Sequence, residues 1–393
     1  MSSSKEDIKF KKIVGRVINQ VIYVENISEI MPLFPQYIHI EPTNACNLRC
    51  VHCHHARGSD GRSSINRRFG MMDMDIFRKV IDELAGHDTP VTLDTQGEPT
   101  LHPHFLDMVK YAKSKDVHLS VITNAVKLDE GLSRELVRLK LDRIVFSFDS
   151  VDEQLYEATR VRAKFKPTLK NVLRFIEINH LAGHPTHVCM SMVYRKKNET
   201  FADEYREFFN QLPVDKIFLN PLLNLAGLSP VADEIEPNEM EKQPKSDWPI
   251  CRVPWESMTV NWDGEVGPCP VDVNVVYSIG NARDFTLGEL WNNERMRCFR
   301  RAHINKEYEL IEENGPLCGS CNCKFDKDYD LRDYGNYAVE AIYRNAVQHA
   351  HQLIEKPEID ITDKQKYENL RMEIARLEID KELSIEIAEH SGI

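Results

Sequence analysis

Glu41-Pro42-Thr43-Asn44-Ala45-Cys46-Asn47-Leu48-Arg49-Cys50-Val51-His52-Cys53 follows directly on a run at 37–41 that reads as a short strand. Its three cysteines are spaced C-x3-C-x2-C within a single loop. Three thiolates can hold three irons of a 4Fe-4S cube, whereas a cluster ligated only by protein normally takes four. One iron is then open to a substrate or cofactor. A structural zinc site completed by His52, His54 or His55 is the other reading of the same residues. Spacing alone leaves both readings open.

Working outward, strand and helix patterns alternate. Strand-like runs at 37–41, 91–94, 117–122, 143–148, 187–193 and 216–220 are separated by helix-like stretches near 74–86, 104–115, 130–140, 152–182 and 200–212. The fourth of these stretches is expected to break around Pro167. Six βα units in series imply a parallel sheet with right-handed crossovers. The unusual residues fall at strand ends: Thr95-Gln96-Gly97-Glu98-Pro99, then Thr123-Asn124-Ala125, then Ser147-Phe148-Asp149-Ser150, with Arg160 and Arg162 downstream and Asn220-Pro221 last. In a parallel array these ends share one face, the ligand-binding face of barrels and open α/β sheets. The cysteine loop belongs to that face too.

The 393 residues suffice for one large domain or two modest ones. Fifty Lys and Arg against 62 Asp and Glu give a net charge of −12, which argues against nucleic acid or an anionic membrane as partner. No apolar run reaches the roughly 18 to 20 residues of a membrane span, and the first twelve residues lack a signal-peptide core. The expected compartment is the cytoplasm, where thiols stay reduced and clustered cysteines read as metal ligands.

Past Asn220 the βα regularity gives way to a proline-marked linker and a second cysteine segment. Cys251, Trp255, Asp263-Gly264, Cys269-Pro270, Ile279-Gly280-Asn281, Trp291 and Cys318-x2-Cys321-x-Cys323 make up that segment. Four thiolates from it can close a site for either zinc or an iron-sulfur cluster. Apolar positions at 8, 13, 17, 18, 21 and 22 suggest a leading packing helix. Leu370, Ile374, Leu377 and Leu383 suggest a C-terminal helix within 353–393, where 11 acidic and 6 basic side chains point to a solvated or partner-facing element. Arg57, Arg62, Arg67 and Arg68 form a basic stretch that reads as a solvated loop or as a grip on a phosphate or carboxylate.

With these motifs in hand, residues 37–220 resemble the radical S-adenosylmethionine superfamily, whose core is a partial (β/α)6 TIM-like barrel. The resemblance implies that Cys46, Cys50 and Cys53 hold a 4Fe-4S cluster whose open iron chelates S-adenosylmethionine. It makes Gly97 and Glu98 the end of the family's Gly-Gly-Glu-Pro motif, and assigns Asn124, Ser147 and Arg160 to ribose and methionine contacts. Two positions depart from the pattern: Gln96 replaces the first glycine, and His52 replaces the aromatic residue common before the third cysteine.

The later segment resembles the small SPASM and twitch extensions of the superfamily. That implies an auxiliary 4Fe-4S cluster on Cys251, Cys269, Cys318 and Cys321, with Cys323 as the alternative to Cys321. The expected division is a helical extension at 1–36, the barrel at 37–225, linker and SPASM/twitch domain at 226–335, and a helical tail at 336–393.

The chemistry so implied is reductive cleavage of S-adenosylmethionine and hydrogen abstraction from a substrate carbon, with a one-electron reductant such as flavodoxin or ferredoxin as partner. A fully ligated auxiliary cluster suits electron transfer, so oxidation is the leading reaction, and a polar small molecule (sugar, aminocyclitol or nucleotide derivative) the leading substrate. Thirty-six residues ahead of the barrel are too few for a separate peptide-recognition domain. The alternatives are a radical epimerase, dehydration or decarboxylation, and a peptide-modifying enzyme of the sulfatase-maturing or natural-product type. A non-catalytic zinc-binding interaction protein is the reading from another class. Cys189 and Cys298 read as packing residues or as hydrogen-atom donors to a substrate radical.

Overall fold

The computed structural model describes residues 28–56, 63–87, 89–235, 239–325 and 365–377. These fall into two compact units, one of residues 40–222 with 365–377 and the other of residues 28–39 with 223–325.

The first unit is an α/β layer. Its strands are β2 (Val91–Leu93), β3 (Leu119–Thr123), β4 (Arg143–Ser147), β5 (His187–Tyr194) and β6 (Lys216–Pro221), preceded in the chain by β1 (Tyr37–Ile40), of which only Ile40 belongs to this unit. They lie in sequence order, the pairings from β2 to β6 are parallel, and β6 is an edge, so the barrel is partial and unclosed. Order of this kind is what successive right-handed crossovers produce. The strand interiors are fully buried: Val91, Leu93, Leu119, Val121, Ile144, Phe146, Val188 and Met190 form the sheet's share of the core. A sheet covered by crossover helices reads as such near-continuous apolar runs.

The intervening helices are α1 (Met74–Ala85), α2 (Phe105–Ser114), α3 (Glu130–Arg138), α4 (Glu153–Thr159), α5 (Phe165–Leu181) and α6 (Ala202–Asn210). Asp73, Asp129 and Asp152 start α1, α3 and α4 by accepting a hydrogen bond from a first-turn backbone N–H. The expected break around Pro167 is displaced. The helix stops at Thr159 and restarts at Phe165, and Pro167 sits in the first turn of α5, where its missing N–H has no intrahelical partner to lose.

Residues 365–377 are helical, which matches the tail expected over that span; this segment is α9. It is not merely solvated there. Leu370 and Ile374 are buried, Tyr367 stacks on His180 with centroids 4.7 Å apart, and Arg371 pairs with Glu177 at 3.4 Å. The reason is that the apolar stripe of α9 meets α5 of its own unit. Leu383 and the leading helix expected at 8–22 lie outside the described residues.

The second unit is smaller, with an antiparallel β7 (Ser257–Val260), β8 (Glu265–Gly267) and β9 (Gly280–Asn281), followed by α7 (Leu287–Trp291) and α8 (Glu294–Asn305). The β7–β8 turn needs Gly264: its φ is +89°, and an added Cβ would stand 2.5 Å from Asn281 Oδ1. Buried Trp255 and Trp291 donate their indole N–H groups to the carbonyls of Ser28 and Leu33, each at 2.7 Å. Fully buried Arg300 lies over Trp291 and donates to the carbonyls of Pro254 and Glu29. No helix among the described residues is long and apolar enough to cross a membrane.

Candidate metal centres

The first centre is built by the loop after β1. Its backbone is held on one side by Arg49 N and Val51 N, which donate to Val161 O and Thr159 O at 3.0 and 2.9 Å. On the other side a strap at 67–72 closes it. Thr43 Oγ1 donates to Gly70 O, Asn44 Nδ2 to Arg68 O, and Met72 N to Pro42 O. Arg67 grips Glu41 with both guanidinium nitrogens, at 3.1 and 2.8 Å, and Glu41 is fully buried. A forked pair of this kind fixes geometry as well as charge. Arg67 is therefore committed to a structural carboxylate, not to a substrate phosphate. Arg57 and Arg62 lie outside the described residues, and Arg68 is exposed.

Cys46, Cys50 and Cys53 line a cavity of about 200 Å³ together with Gly97, Glu98, Asn124, Ser147 and Arg160. The fold thus brings to one cavity the first three cysteines and the strand-end residues Thr95, Gln96, Thr123 and those just named, whereas Asp149, Arg162, Asn220 and Pro221 are not among its lining residues. Gly97 is the tightest point: a Cβ there would overlap Thr43 O and stand 2.7 Å from Ala45 O. Glu98 is buried and hydrogen-bonded through both oxygens. Its carboxylate accepts from Thr100 N, Thr100 Oγ1, Thr123 Oγ1 and Asn124 N, at 3.2, 2.7, 2.7 and 2.7 Å. Asn124 Nδ2 reaches Asn47 Oδ1 at 2.9 Å and lies 3.9 Å from Cys46 Sγ. Arg160, buried, sets Nε 2.9 Å from Asp149 Oδ2 and Nη1 4.0 Å from Cys50 Sγ.

Three residues quoted from the sequence take parts in the site that the sequence did not assign to them. Thr95 lines the cavity in the left-handed region at φ +76°, a conformation that a non-glycine residue keeps only under strong surrounding constraint. Buried Asp149 pairs with Arg160, and His55 bonds through Nε2 to the carbonyl of Gln96. A strained residue leaves no mark in sequence, but Asp149 stood at a strand end and could have been paired with Arg160.

Burial pushes the Cys46 thiol up to about 11, the Cys50 thiol up to about 12, and Cys53 upward as well. Unligated, these thiols stay neutral at pH 7, and a bound cation would supply the charge that favours their thiolates. Burial also holds His54 and His55 down at about 4, so both are neutral. Among the described residues no three His, Cys, Asp or Glu side chains converge on a single-ion site. An all-sulfur donor set spread around a cavity suits a multi-iron cluster.

The second centre lies wholly in the smaller unit. Cys251, Cys269, Cys318, Cys321 and Cys323 line an apolar cavity of about 70 Å³ with Phe299, His303 and Lys324. Burial pushes Cys251 up to about 12 and Cys269 and Cys318 well above the ordinary thiol range. Cys321 goes the other way, because the Cys323 S–H donates to it. His303 Nε2 lies 3.3 Å from Cys318 Sγ, and burial keeps this ring neutral. Glu312 accepts from Leu317 N and Gly319 N at 2.8 and 2.6 Å, fixing the turn that carries Cys318.

The two hydrogen-donor candidates stand elsewhere. Cys189 is fully buried inside β5 and does not line the first cavity. Cys298, on α8, lines a separate hollow with Tyr277 and Arg295.

A family model described as the Radical SAM superfamily matches residues 40–208, and one described as an iron-sulfur cluster-binding domain, SPASM, matches residues 251–324. The chain belongs to the radical SAM superfamily. This radical SAM enzyme uses S-adenosylmethionine and a 4Fe-4S cluster, and its SPASM domain implies auxiliary iron-sulfur chemistry. It is 26% identical over 347 residues to the tungsten-containing aldehyde ferredoxin oxidoreductase cofactor-modifying protein of Pyrococcus furiosus, covering 77% of this chain and 92% of that one. It is 22% identical over 337 residues to the antilisterial bacteriocin subtilosin biosynthesis protein AlbA of Bacillus subtilis, covering 77% of this chain and 70% of that one. In fold it is similar to Streptococcus suis SuiB, with a TM-score of 0.54 at 15% identity, covering 77% of this chain and 74% of that one. It is likewise similar to native anSMEcpe with bound AdoMet, with a TM-score of 0.53 at 16% identity, covering 82% and 100%.

Proposed function

We propose that this radical SAM/SPASM enzyme oxidises a polar small molecule of the sugar, aminocyclitol or nucleotide-derived kind by removing a carbon-bound hydrogen atom. The observation that carries the reading is the single cavity shared by three thiols and the polar strand-end residues. When bound, a 4Fe-4S cluster on Cys46, Cys50 and Cys53 supplies the electron that splits S-adenosylmethionine into methionine and a 5′-deoxyadenosyl radical.

The chain's own residues position that chemistry. Gly97 lets its turn lie directly against Thr43 and Ala45 of the cysteine loop, where any side chain would collide, and so holds that loop beside the methionine moiety. Glu98 takes three donors on Oε1 and one, Asn124 N, on Oε2, so we assign it to fixing Thr100, Thr123 and Asn124 while Oε2 keeps an acceptor direction for the nearby amino group. Asn124 and Ser147 serve the ribose, and Arg160, held by Asp149, serves the methionine carboxylate.

In the smaller unit, Cys251, Cys269, Cys318 and Cys321 hold the auxiliary cluster, with Cys323, which lines the same cavity, as the alternative to Cys321. The working division is 37–225 for radical generation and 226–335 for the auxiliary centre. A flavodoxin or ferredoxin serves as reductant in the cytoplasm. The Pyrococcus furiosus relative, named for modifying a cofactor, supports a non-peptide substrate. The Bacillus subtilis relative, named for bacteriocin biosynthesis, and SuiB, crystallised with its precursor peptide, favour a peptide as the second reading.

The test is iron, acid-labile sulfide and zinc per chain on anaerobically purified protein, with 5′-deoxyadenosine formation under reduction, for wild type and Cys46→Ala/Cys50→Ala/Cys53→Ala. The expected result is about eight irons falling to about four, with loss of 5′-deoxyadenosine. About four irons in wild type, all lost in the variant, would remove the electron acceptor and favour epimerisation. Zinc without iron after reconstitution would overturn the reading.

A further inference from the structure

The cysteine turn at 318–323 is held by a side chain that the proposed chemistry has not used. Lys324 is 2% exposed, and its ammonium group is turned onto backbone carbonyls, with Glu241 as the carboxylate whose charge reaches it. Nζ donates to Cys318 O and to Cys321 O, both at 2.6 Å, and approaches Gly319 O at 3.5 Å. The same nitrogen lies over three aromatic rings, 4.4 Å from the centroid of Trp248, 4.8 Å from Phe325 and 5.4 Å from Tyr308. Those rings shield the charge from water and are attracted to it through their negative faces.

The rest of the turn is equally spoken for. Glu312 takes two of its N–H groups, and a Cβ on Gly319 would stand 2.7 Å from that carboxylate. Asn224 takes Ser320 O and exchanges hydrogen bonds with Asn322. The backbone is thus anchored by groups on its outer side, which leaves the thiols for the cavity. Lys324 is the anchor among these that carries a positive charge, and it lines the cavity itself, as Glu312 and Asn224 do not. Arg252, the neighbouring cation, is neutralised by Glu256 at 2.6 Å.

We propose that Lys324 is a positioning residue for the auxiliary centre: it holds the carbonyls of Cys318 and Cys321 from within the turn, and its buried charge raises the reduction potential of the cluster bound there. A positive charge in a low-dielectric surrounding favours the reduced cluster, which is the more negative state. The enzyme thereby gains an acceptor able to take an electron from a substrate radical. The inference rests on the reading that Cys251, Cys269, Cys318 and Cys321 hold a cluster.

The test uses the full chain carrying Cys46→Ala/Cys50→Ala/Cys53→Ala, so that the auxiliary centre is observed alone. Into this parent are placed Lys324→Arg, which keeps the charge, Lys324→Gln, which keeps donors without it, and Lys324→Met, which keeps neither. Iron per chain and the midpoint potential from an EPR-monitored redox titration are measured. The parent and Lys324→Arg are expected to hold about four irons at matching potentials. Lys324→Gln should retain iron but titrate at a more negative potential, and Lys324→Met should lose iron as well. Loss of iron in Lys324→Gln that Lys324→Arg rescues would also support the charge. A potential in Lys324→Gln equal to the parent's, or equal loss of iron in the Arg and Gln variants, would overturn it. A parent without iron would overturn the cluster reading itself and this inference with it, whereas a parent with iron keeps the two failures apart.

Discussion

At position 97 a single methyl group decides whether the first centre can form. The Cβ of an alanine would overlap Thr43 O and crowd Ala45 O, both backbone atoms of the cysteine loop that no rotamer change can move. Gly97→Ala is expected to displace that loop, with destabilisation of about 1–3 kcal/mol by overpacking and loss of the first centre's iron. Iron per chain and thermal unfolding would check it; wild-type iron content would contradict it.

Glu98 makes a second case. Glu98→Gln replaces one acceptor oxygen with a donor facing Thr123, Thr100 or Asn124, leaving at least one buried donor without a partner. The expected cost is about 1–3 kcal/mol, read from denaturant unfolding. Both residues were legible in sequence from their place in the Gly-Glu-Pro step. What was hidden is how thoroughly the protein's own donors occupy Glu98, because hydrogen bonds between distant strand ends have no local signature.

Among the elements, the strap at 67–72 matters most to the first centre. Arg67 and Arg68 are neighbours in one basic run, and nothing in sequence separates them. In the fold, Arg67 neutralises fully buried Glu41, whereas the Arg68 side chain is exposed. Arg67→Ala strands a buried carboxylate and is expected to cost about 3–5 kcal/mol; Arg68→Ala should stay within about 0.5 kcal/mol. Paired unfolding curves check the contrast, and equal effects would contradict it. The strands were legible because apolar alternation and β-branched residues report burial directly. The break between α4 and α5 was misplaced by five residues or so because Pro167 can open a helix as readily as end one. The docking of α9 was missed for a related reason: an acidic background suggests solvent, but two buried positions, Leu370 and Ile374, suffice to seat a helix.

At the scale of the whole molecule, each centre draws its cavity-lining residues from one unit alone, the first from residues 46–193 and the second from residues 223–324. Assembly of one cluster should therefore not require the other. Cys251→Ala/Cys269→Ala is expected to lose about four irons and keep about four, and to cleave S-adenosylmethionine reductively at a rate within about threefold of wild type. Substrate oxidation should fail in the same protein, because a substrate radical would form with no acceptor for its electron. The measurement pairs iron content with 5′-deoxyadenosine and oxidised product from one anaerobic reaction. Retained product without auxiliary iron would assign the final electron to another acceptor, and loss of both 5′-deoxyadenosine and all iron would mean that the centres assemble as one. This separation is also what sequence could express at this scale. Apart from Cys189 and Cys298, the cysteines fall into two groups with a proline-marked linker between them, and each group proves to line its own cavity.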